Sequence, residues 1–351
     1  MTAPLRLVAL GCGRVFERFH LPALRSSPDW TLVAAVDPSA DRVRWVQRMV
    51  PNVAVVGALS ELDSGLAADA VLVSAPPDTH CALAAEALRR GAHVLLEKPM
   101  ALGLPEAASL LALAGDVGRQ IWVGYNRRFR PAFRRLRAHL AEVPPDEVRR
   151  ISYELRSSPA QWGALSGWLS LQERGGGLLD DIASHQLDLV PWIVARPVEA
   201  VRARFLRRDD REIVVAMDLR FAGGLQARCT AAHGPHAAER LEVRLARRSL
   251  IATQGAMIAT TLTPGPLADA YLAGRTAIGS AMRRLRRAPG HTLDSFSRQL
   301  AAWAGALRGG TGTGAADGAA GARCVALVEA CRQSLAVGGE WIPAPATEGV
   351  R

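Results

Sequence analysis

Cysteine is scarce in this chain and aromatic residues are sparse. The five cysteines, Cys12, Cys81, Cys229, Cys324 and Cys331, are odd in number and form no CxxC pair. That argues against a disulfide scaffold and against a cysteine-rich zinc site. No cysteine stands out as a nucleophile. An uninterrupted apolar run long enough to cross a bilayer is also missing. The opening MTAPLRLVALGCG lacks the basic region, apolar core and cleavage site of a secretory signal. The expectation is a cytoplasmic protein with no membrane partner.

Aromatic residues make up only 5% of the chain, which gives little material for a base-stacking platform. The net charge of +10 invites a nucleic-acid reading. The arginines are dispersed, however, in RRFR (127–130), RRLR (134–137), RRDDR (207–211) and RRLRR (283–287). Solvated faces account for that pattern, and no nucleic acid is expected as a partner. Part of the charge serves to attract an anionic cofactor or substrate. What the chain does have is bulk: 351 residues, 49% of them hydrophobic, suit two domains with a sizeable core.

The first third alternates apolar strands with helices, the pattern of a parallel sheet covered on both faces. Strands are expected at 5–10, 32–36, 53–56, 70–74, 93–97 and 121–125. GCGRVF follows the first strand, with Gly11 and Gly13 spaced as in GxGxxG. Such glycines allow a tight turn and close approach of backbone to a pyrophosphate at a helix N-terminus. Phe16 stands where Gly or Ala is usual, implying a looser helix–strand contact. Asp37 ends the second strand, 24 residues beyond Gly13. A carboxylate there accepts hydrogen bonds from an adenosine ribose and repels a 2′-phosphate, so NAD is expected, with NADP as the alternative through Arg42 and Ser39. Asp78 or Thr79 is expected to cap a helix that runs to Arg90 and ends at Gly91. Glu97-Lys98-Pro99 lies at the carboxyl end of a strand, where ligands bind in such sheets. Pro99 restricts the backbone there and permits a cis Lys98–Pro99 bond.

After Asn126 the pattern changes. A basic amphipathic helix is expected over 127–140, interrupted by Pro131. Strands at 149–155, 201–206, 213–221, 225–230, 241–245 and 250–253 follow without regular intervening helices. That points to a large, predominantly antiparallel open sheet. Helices return at 293–307 and 318–336. The stretches 263–280 and 309–321 read as loops or weakly structured joins. The expected division is a dinucleotide-binding domain over 1–126, a substrate-binding and oligomerisation domain over 127–345, and a tail over 346–351.

GGGLLDDIASHQLDLV (175–190) carries polar groups inside a segment suited to burial. Asp181, His185 and Asp188 fall at i, i+4 and i+7, which places them on one helical face. Asp180 is expected as a cap or a solvent-facing group. A carboxylate near an imidazole orients it and favours its protonated form. There is no second histidine at ligand spacing, so no metal is expected.

These pieces together resemble the Gfo/Idh/MocA family of nicotinamide-dependent oxidoreductases. The resemblance rests on GCGRVFERFHLPAL (11–24), SAPPDTHCALAAEALRRGAHVLLEKPM (74–100), GYNRRFRP (124–131) and GGGLLDDIASHQLDL (175–189), with LVEACRQSLAVGG (327–339) near the end. It implies an N-terminal Rossmann domain, then an α+β domain with the open sheet, and assembly as a homodimer or homotetramer. It implies catalytic roles for Lys98, Asp181 and His185. It also implies cofactor contacts from Gly11, Gly13, Arg14, Val15, Asp37, Ala75, Pro76, His80, Glu97 and Lys98. The implied chemistry is hydride transfer between NAD(P) and a secondary hydroxyl of a cyclic polyol, sugar or sugar derivative. In that scheme His185 takes the hydroxyl proton, Lys98 stabilises the reacting oxygen, and Asp181 orients His185 or holds a neighbouring hydroxyl. The alternatives are a nucleotide-linked or amino-sugar substrate, and a dinucleotide-sensing regulator without turnover.

Overall fold

The computed structural model describes residues 3–63, 68–158, 177–209, 211–253, 256–260, 270–271, 274, 291–310 and 314–345. Six apolar segments form parallel strands: β1 (Leu5–Leu10), β2 (Trp30–Val36), β3 (Ala54–Val56), β4 (Ala70–Val73), β5 (His93–Leu96) and β6 (Ile121–Val123). They lie in the order β6-β5-β4-β1-β2-β3. The order reverses between β1 and β4, so the crevice beyond their carboxyl ends is the place for a ligand. The connecting helices are α1 (Leu21–Arg25), α2 (Ala40–Met49), α3 (His80–Arg89) and α4 (Leu104–Asp116). Thr79 takes the N-cap position of α3, but its hydroxyl makes no capping hydrogen bond. Residues Pro77–Thr79 form a 3-10 turn, and Thr79 Oγ1 donates to Pro76 O at 2.7 Å.

The helix expected over 127–140 begins later. Asn126–Phe129 is a 3-10 turn, and Pro131 opens α5 (Pro131–Ala141) rather than interrupting it. A first-turn proline lacks only an N–H that has no helical acceptor there. The GGG-led segment continues as a wide π-turn, Leu179–Ala183, and then α6 (Ser184–Val194). Gly175 and Gly176 lie outside the described residues.

The second sheet contains β7 (Val148–Ser157), β8 (Val198–Arg208), β9 (Ile213–Phe221), β10 (Gln226–His233), β11 (Ala238–Leu245), β12 (Ser249–Ala252) and β13 (Met257–Thr260). Neighbours run antiparallel except β7 and β10, which pair in parallel. One face is apolar, with Ile151, Tyr153, Val215, Met217, Cys229 and Leu241 buried against the helices. The other face is charged: Asp218 accepts from Arg202 Nε at 2.8 Å and Arg228 Nε at 2.6 Å.

The chain then returns to the first sheet. Phe296, Leu300 and Trp303 of α7 (His291–Leu307) share a core with Leu7, Ala9 and Phe16. Trp30 Nε1 donates to Leu300 O at 2.9 Å. Next, β14 (Ala316–Asp317) adds to β6 as an antiparallel edge. Asp317 accepts from Ala320 N at 2.8 Å and caps α8 (Gly318–Ala336). The stretch 309–321 is thus partly ordered secondary structure. Most of 263–280 lies outside the described residues. The short β15 (Ile342–Pro343) closes the far edge beside β8. By packing, α7 and β14 belong to the first sheet although they follow the second in the chain. Phe16 explains why: its ring needs apolar cover, and α7 supplies it. The looser contact expected at Phe16 is replaced by full burial, with the helix opening into a π-turn over Phe16–His20.

Candidate functional site

Lys98 follows the carboxyl end of β5, and its peptide bond to Pro99 is cis. Its ammonium donates to Asp181 Oδ1 at 2.8 Å and to Asp181 O at 3.0 Å. The other carboxylate oxygen of Asp181 accepts from His233 Nε2 at 3.4 Å. Burial pushes the Asp181 carboxyl up, but Lys98 and His233 outweigh it and hold the group far below the ordinary carboxylate range. His233 sits at the end of β10, on the inner face of the second sheet. The motif residues of the first sheet and the π-turn thus meet a strand residue that no motif singled out.

His185 lies beside this group with Tyr125 at its edge, ring centroids 6.4 Å apart. Burial first, then the positive charges of Arg127 and Lys98, hold its imidazole well below the usual range. The imidazole is therefore neutral at neutral pH. Its Nδ1 is buried without a hydrogen-bond partner. No hydrogen bond joins Asp181 to His185, so the expected orienting contact is absent. The carboxylate turns to Lys98 and His233 instead.

The regular spacing expected for Asp181, His185 and Asp188 is altered at its start, while His185 and Asp188 remain three apart in α6. A π-turn spans Leu179–Ala183, so positions counted at regular helical spacing lose phase. Asp188 is buried against Arg128, with Arg128 Nε 2.9 Å from Oδ2. Asp180, expected at the surface, is 3% exposed and paired with Arg332. A second buried cluster adjoins His185. Glu239 accepts from Tyr153 Oη at 2.6 Å and from Arg130 Nη1, and Arg127 Nε lies 3.1 Å from it. Burial raises the Glu239 carboxyl, but Arg127 and Arg130 outweigh this and leave it below its ordinary value.

The nucleotide end is built from backbone. Gly11 has φ +83°, and its carbonyl accepts from Ser74 Oγ at 2.7 Å. Gly13, Arg14 and Val15 open the following helix, with Glu17 N donating to Gly13 O at 2.9 Å. Nothing lies within 4 Å of where a Cβ on Gly13 would stand, so the turn faces open space. That is the cradle a pyrophosphate requires. Asp37 is engaged by the turn itself: Cys12 N donates to Oδ2 at 2.7 Å and Ser39 N to Oδ1 at 2.9 Å. Arg42 Nε donates to Cys12 O at 2.6 Å, and its guanidinium stacks on Trp45 at 4.4 Å.

His80 and Glu97 serve the protein's own framework. His80 Nδ1 faces Pro99 O at 2.8 Å and Nε2 faces Ala75 O at 2.9 Å. The imidazole therefore ties the Lys98–Pro99 turn to the end of β4, while Pro76 starts the 3-10 turn beside it. Glu97 Oε1 accepts from His20 Nε2 at 2.7 Å, and Oε2 accepts from Lys98 N at 3.2 Å. Burial raises Glu97, but the His20 contact and the Lys98 charge outweigh it and lower the carboxyl.

Burial also lowers His80, against two carbonyls that favour its charged form. An unfolded imidazole takes up a proton below about pH 6.5, whereas folded His80 resists it. The stability tied to His80 is thus present above about pH 6.5 and is lost as pH falls below it. Melting curves from pH 8 to 5 are expected to fall less steeply for His80→Gln than for the wild type.

Two family models match the chain in sequence. Residues 5–125 match the model described as the oxidoreductase family, NAD-binding Rossmann fold. Residues 133–251 match that of the GFO/IDH/MocA C-terminal domain. The chain belongs to the Gfo/Idh/MocA oxidoreductase family. The protein YceM of Salmonella typhimurium is 35% identical over 218 residues, which are 60% of this chain and 64% of that protein. The myo-inositol dehydrogenase Hyg17 of Streptomyces leeuwenhoekii is 28% identical over 204 residues, 57% of this chain and 58% of that one. In both, the match spans less than two thirds of the relative's length. The WlbA dehydrogenase of Bordetella pertussis, solved with NADH and UDP-GlcNAcA, shares the fold. Its TM-score is 0.81 at 20% identity, covering 97% of this chain and 98% of that one.

Proposed function

We propose that this Gfo/Idh/MocA member transfers a hydride between a nicotinamide cofactor and a secondary hydroxyl or carbonyl of a cyclic polyol, sugar or sugar derivative. The observation that carries the reading is the state of Lys98. Among 43 Lys and Arg residues it is the one lysine. Every other cationic position in the chain is an arginine. An ammonium is a compact charge with three donors, whereas a guanidinium is a wide planar fork. Two of those donors are taken by Asp181 Oδ1 and O. The third is available to an oxygen that develops negative charge.

When bound, the nicotinamide supplies the hydride acceptor or donor. Gly11, Gly13, Arg14 and Val15 form the turn that would receive its pyrophosphate, and Asp37 stands where the adenosine ribose would lie. His185 accepts the hydroxyl proton in oxidation and returns it in reduction. Asp181 keeps Lys98 in place. The inositol and nucleotide-sugar chemistry named for Hyg17 and WlbA supports a ring carbinol as the reacting group.

The cofactor is read as NAD, from the carboxylate of Asp37 at the end of β2. Asp37→Ala is expected to weaken NADH binding by about 10-fold, the value of one hydrogen bond to a charged group, and to narrow the gap to NADPH. Titration followed by energy transfer from the eight tryptophans checks this. The pH profile of oxidation tests the function itself. Because His185 is held neutral by burial and by Arg127 and Lys98, kcat/KM is expected to stay level as pH falls through about 6.5 and to decline only below it. A profile that collapses at or above that value contradicts His185 as the base.

A further inference from the structure

The charged outer face of the second sheet carries a groove at one end. Its volume is about 780 Å³, a size suited to a small molecule. Arg149 and Arg150 line it from the start of β7, Arg196 from the turn after α6, and Arg228 from β10. Two carboxylates line it as well, Asp146 and Asp218. Asp218 is fully engaged: it accepts from Arg228 Nε at 2.6 Å, Arg228 Nη2 at 3.1 Å and Arg202 Nε at 2.8 Å. Asp146 is therefore left against Arg149, Arg150 and Arg196. None of these three arginines has a hydrogen bond or ion pair among the described residues. Glu147 and Glu199, the neighbouring acids in sequence, are exposed and do not line the groove. The strand register adds a second observation. Arg150 stands directly opposite Arg244 across β7 and β11. Like charges so placed repel and weaken a sheet. Elsewhere the same face matches its arginines with acids: Arg228 stands opposite Asp218, and Arg240 Nη2 donates to Glu242 at 3.1 Å. The turn between β9 and β10 leaves room beside these cations. Gly223 and Gly224 line the groove, and a Cβ on Gly224 would meet nothing within 4 Å.

We propose that this groove is a second binding site, which takes a small polyanion with at least two adjacent phosphate groups. The guanidinium forks of Arg149, Arg150 and Arg196 offer paired donors to phosphate oxygens. One phosphate engages one or two such forks. A run of phosphates engages all three and relieves the repulsion between Arg150 and Arg244. A long anionic polymer fits less well, because it would have to pass over Glu154, Asp218 and Glu242 on the same face. The groove also lies apart from the reacting centre. About 17 Å of strand separates Arg228 from His233 on β10, and His233 belongs to the inner face. A polyanion in the groove therefore leaves the space at Lys98 and His185 free for a substrate.

The test titrates the full chain by calorimetry with tripolyphosphate, ATP and orthophosphate, in saturating NADH so that the nucleotide turn is filled. Tripolyphosphate is expected to bind at least about 10-fold more tightly than orthophosphate. ATP distinguishes the sources of the phosphates. Affinity equal to that of tripolyphosphate assigns the groove to phosphates alone, and higher affinity assigns it to a nucleotide; both support the proposal. Arg150→Gln is expected to lose about 10-fold on tripolyphosphate, and Arg150→Gln/Arg196→Gln about 100-fold, with NADH affinity unchanged. Arg208→Gln removes the same charge from the far end of β8 and should leave binding within about 2-fold. Arg150→Gln also removes the repulsion with Arg244, so its melting temperature without ligand should hold or rise. Tripolyphosphate should raise the melting temperature of the wild type and not that of the double variant. No binding of tripolyphosphate, equal affinity for orthophosphate, or an equal loss in Arg208→Gln overturns the proposal. The last result would mean a diffuse attraction to net charge. Binding that survives in the double variant overturns it too, by placing the phosphates elsewhere. Turnover of a polyol without tripolyphosphate binding leaves the hydride-transfer reading standing and removes this one.

Discussion

Lys98→Met is expected to lower turnover by about 10²- to 10³-fold, the loss typical of removing one donor from a developing oxyanion. NADH binding should remain near the wild-type value, since the nucleotide turn at Gly11–Val15 is built from another strand. The substitution also removes the main partner of Asp181. A buried pair broken on one side costs about 3–5 kcal/mol in a sealed site. Here both side chains are 15% exposed and His233 keeps one contact, so a smaller loss, about 2 kcal/mol, is the expectation. Stability alone therefore does not establish a catalytic role. Lys98→Arg separates the two effects. It restores a charge for Asp181, so the melting temperature should recover. A guanidinium does not reproduce a compact third donor, so turnover should stay low. Stability and kcat recovering together in Lys98→Arg would mean that Lys98 is only a structural partner.

The second large effect is expected at the first glycine of the turn. A Cβ on Gly11 would stand 2.5 Å from Ala75 N and 2.7 Å from Ser74 C, both backbone atoms. The conformation itself, φ +83°, is one that L side chains rarely adopt. Neither side can retreat. Gly11 N donates to Val36 O at 2.9 Å, and Ser74 is bonded to both Gly11 O and Leu10 O. Gly11→Ala is expected to destabilise the fold by about 3 kcal/mol and to weaken NADH binding by more than about 100-fold. Gly13→Ala is the matched control. Its Cβ meets nothing within 4 Å, so the fold should hold while the space for the pyrophosphate is narrowed. Denaturant melts and NADH titrations on the two variants distinguish a broken turn from a filled cradle.

The parts of this protein legible in its sequence are those encoded by neighbours along the chain. The alternation of β1 to β6 with helices, the turn at Gly11 and Gly13, and Lys98 at a strand end all follow from local pattern. Pairing across the chain is another matter. Lys98 and Asp181 are 83 residues apart, and only the family resemblance linked them. His233 carries no motif signal: it ends β10, with His236 three residues further on in the following turn. Its place beside Asp181 depends on the register of β10 against β7 and β9. Arg127 lay inside the recognised GYNRRFRP stretch, yet its contact with Glu239 comes from β11. Asp180 was misplaced for a physical reason. Counting at regular helical spacing puts it toward solvent, but the π-turn widens the helix and swings it inward to Arg332. Residues 293–307 were legible as a helix. Their partner was not, because an apolar stripe records that a face is buried and not which sheet covers it.

One comparison tests the central claim most directly: oxidation of a panel of cyclic polyols, sugars and sugar acids by wild type and His185→Asn, with NAD and NADP, followed by the appearance of reduced nicotinamide. The account predicts saturable turnover of at least one panel member by the wild type. It predicts a fall of about 10²- to 10⁴-fold in His185→Asn with cofactor binding retained. A wild type that binds the cofactor and reduces it with no member of the panel, or a His185→Asn protein of undiminished rate, would contradict it.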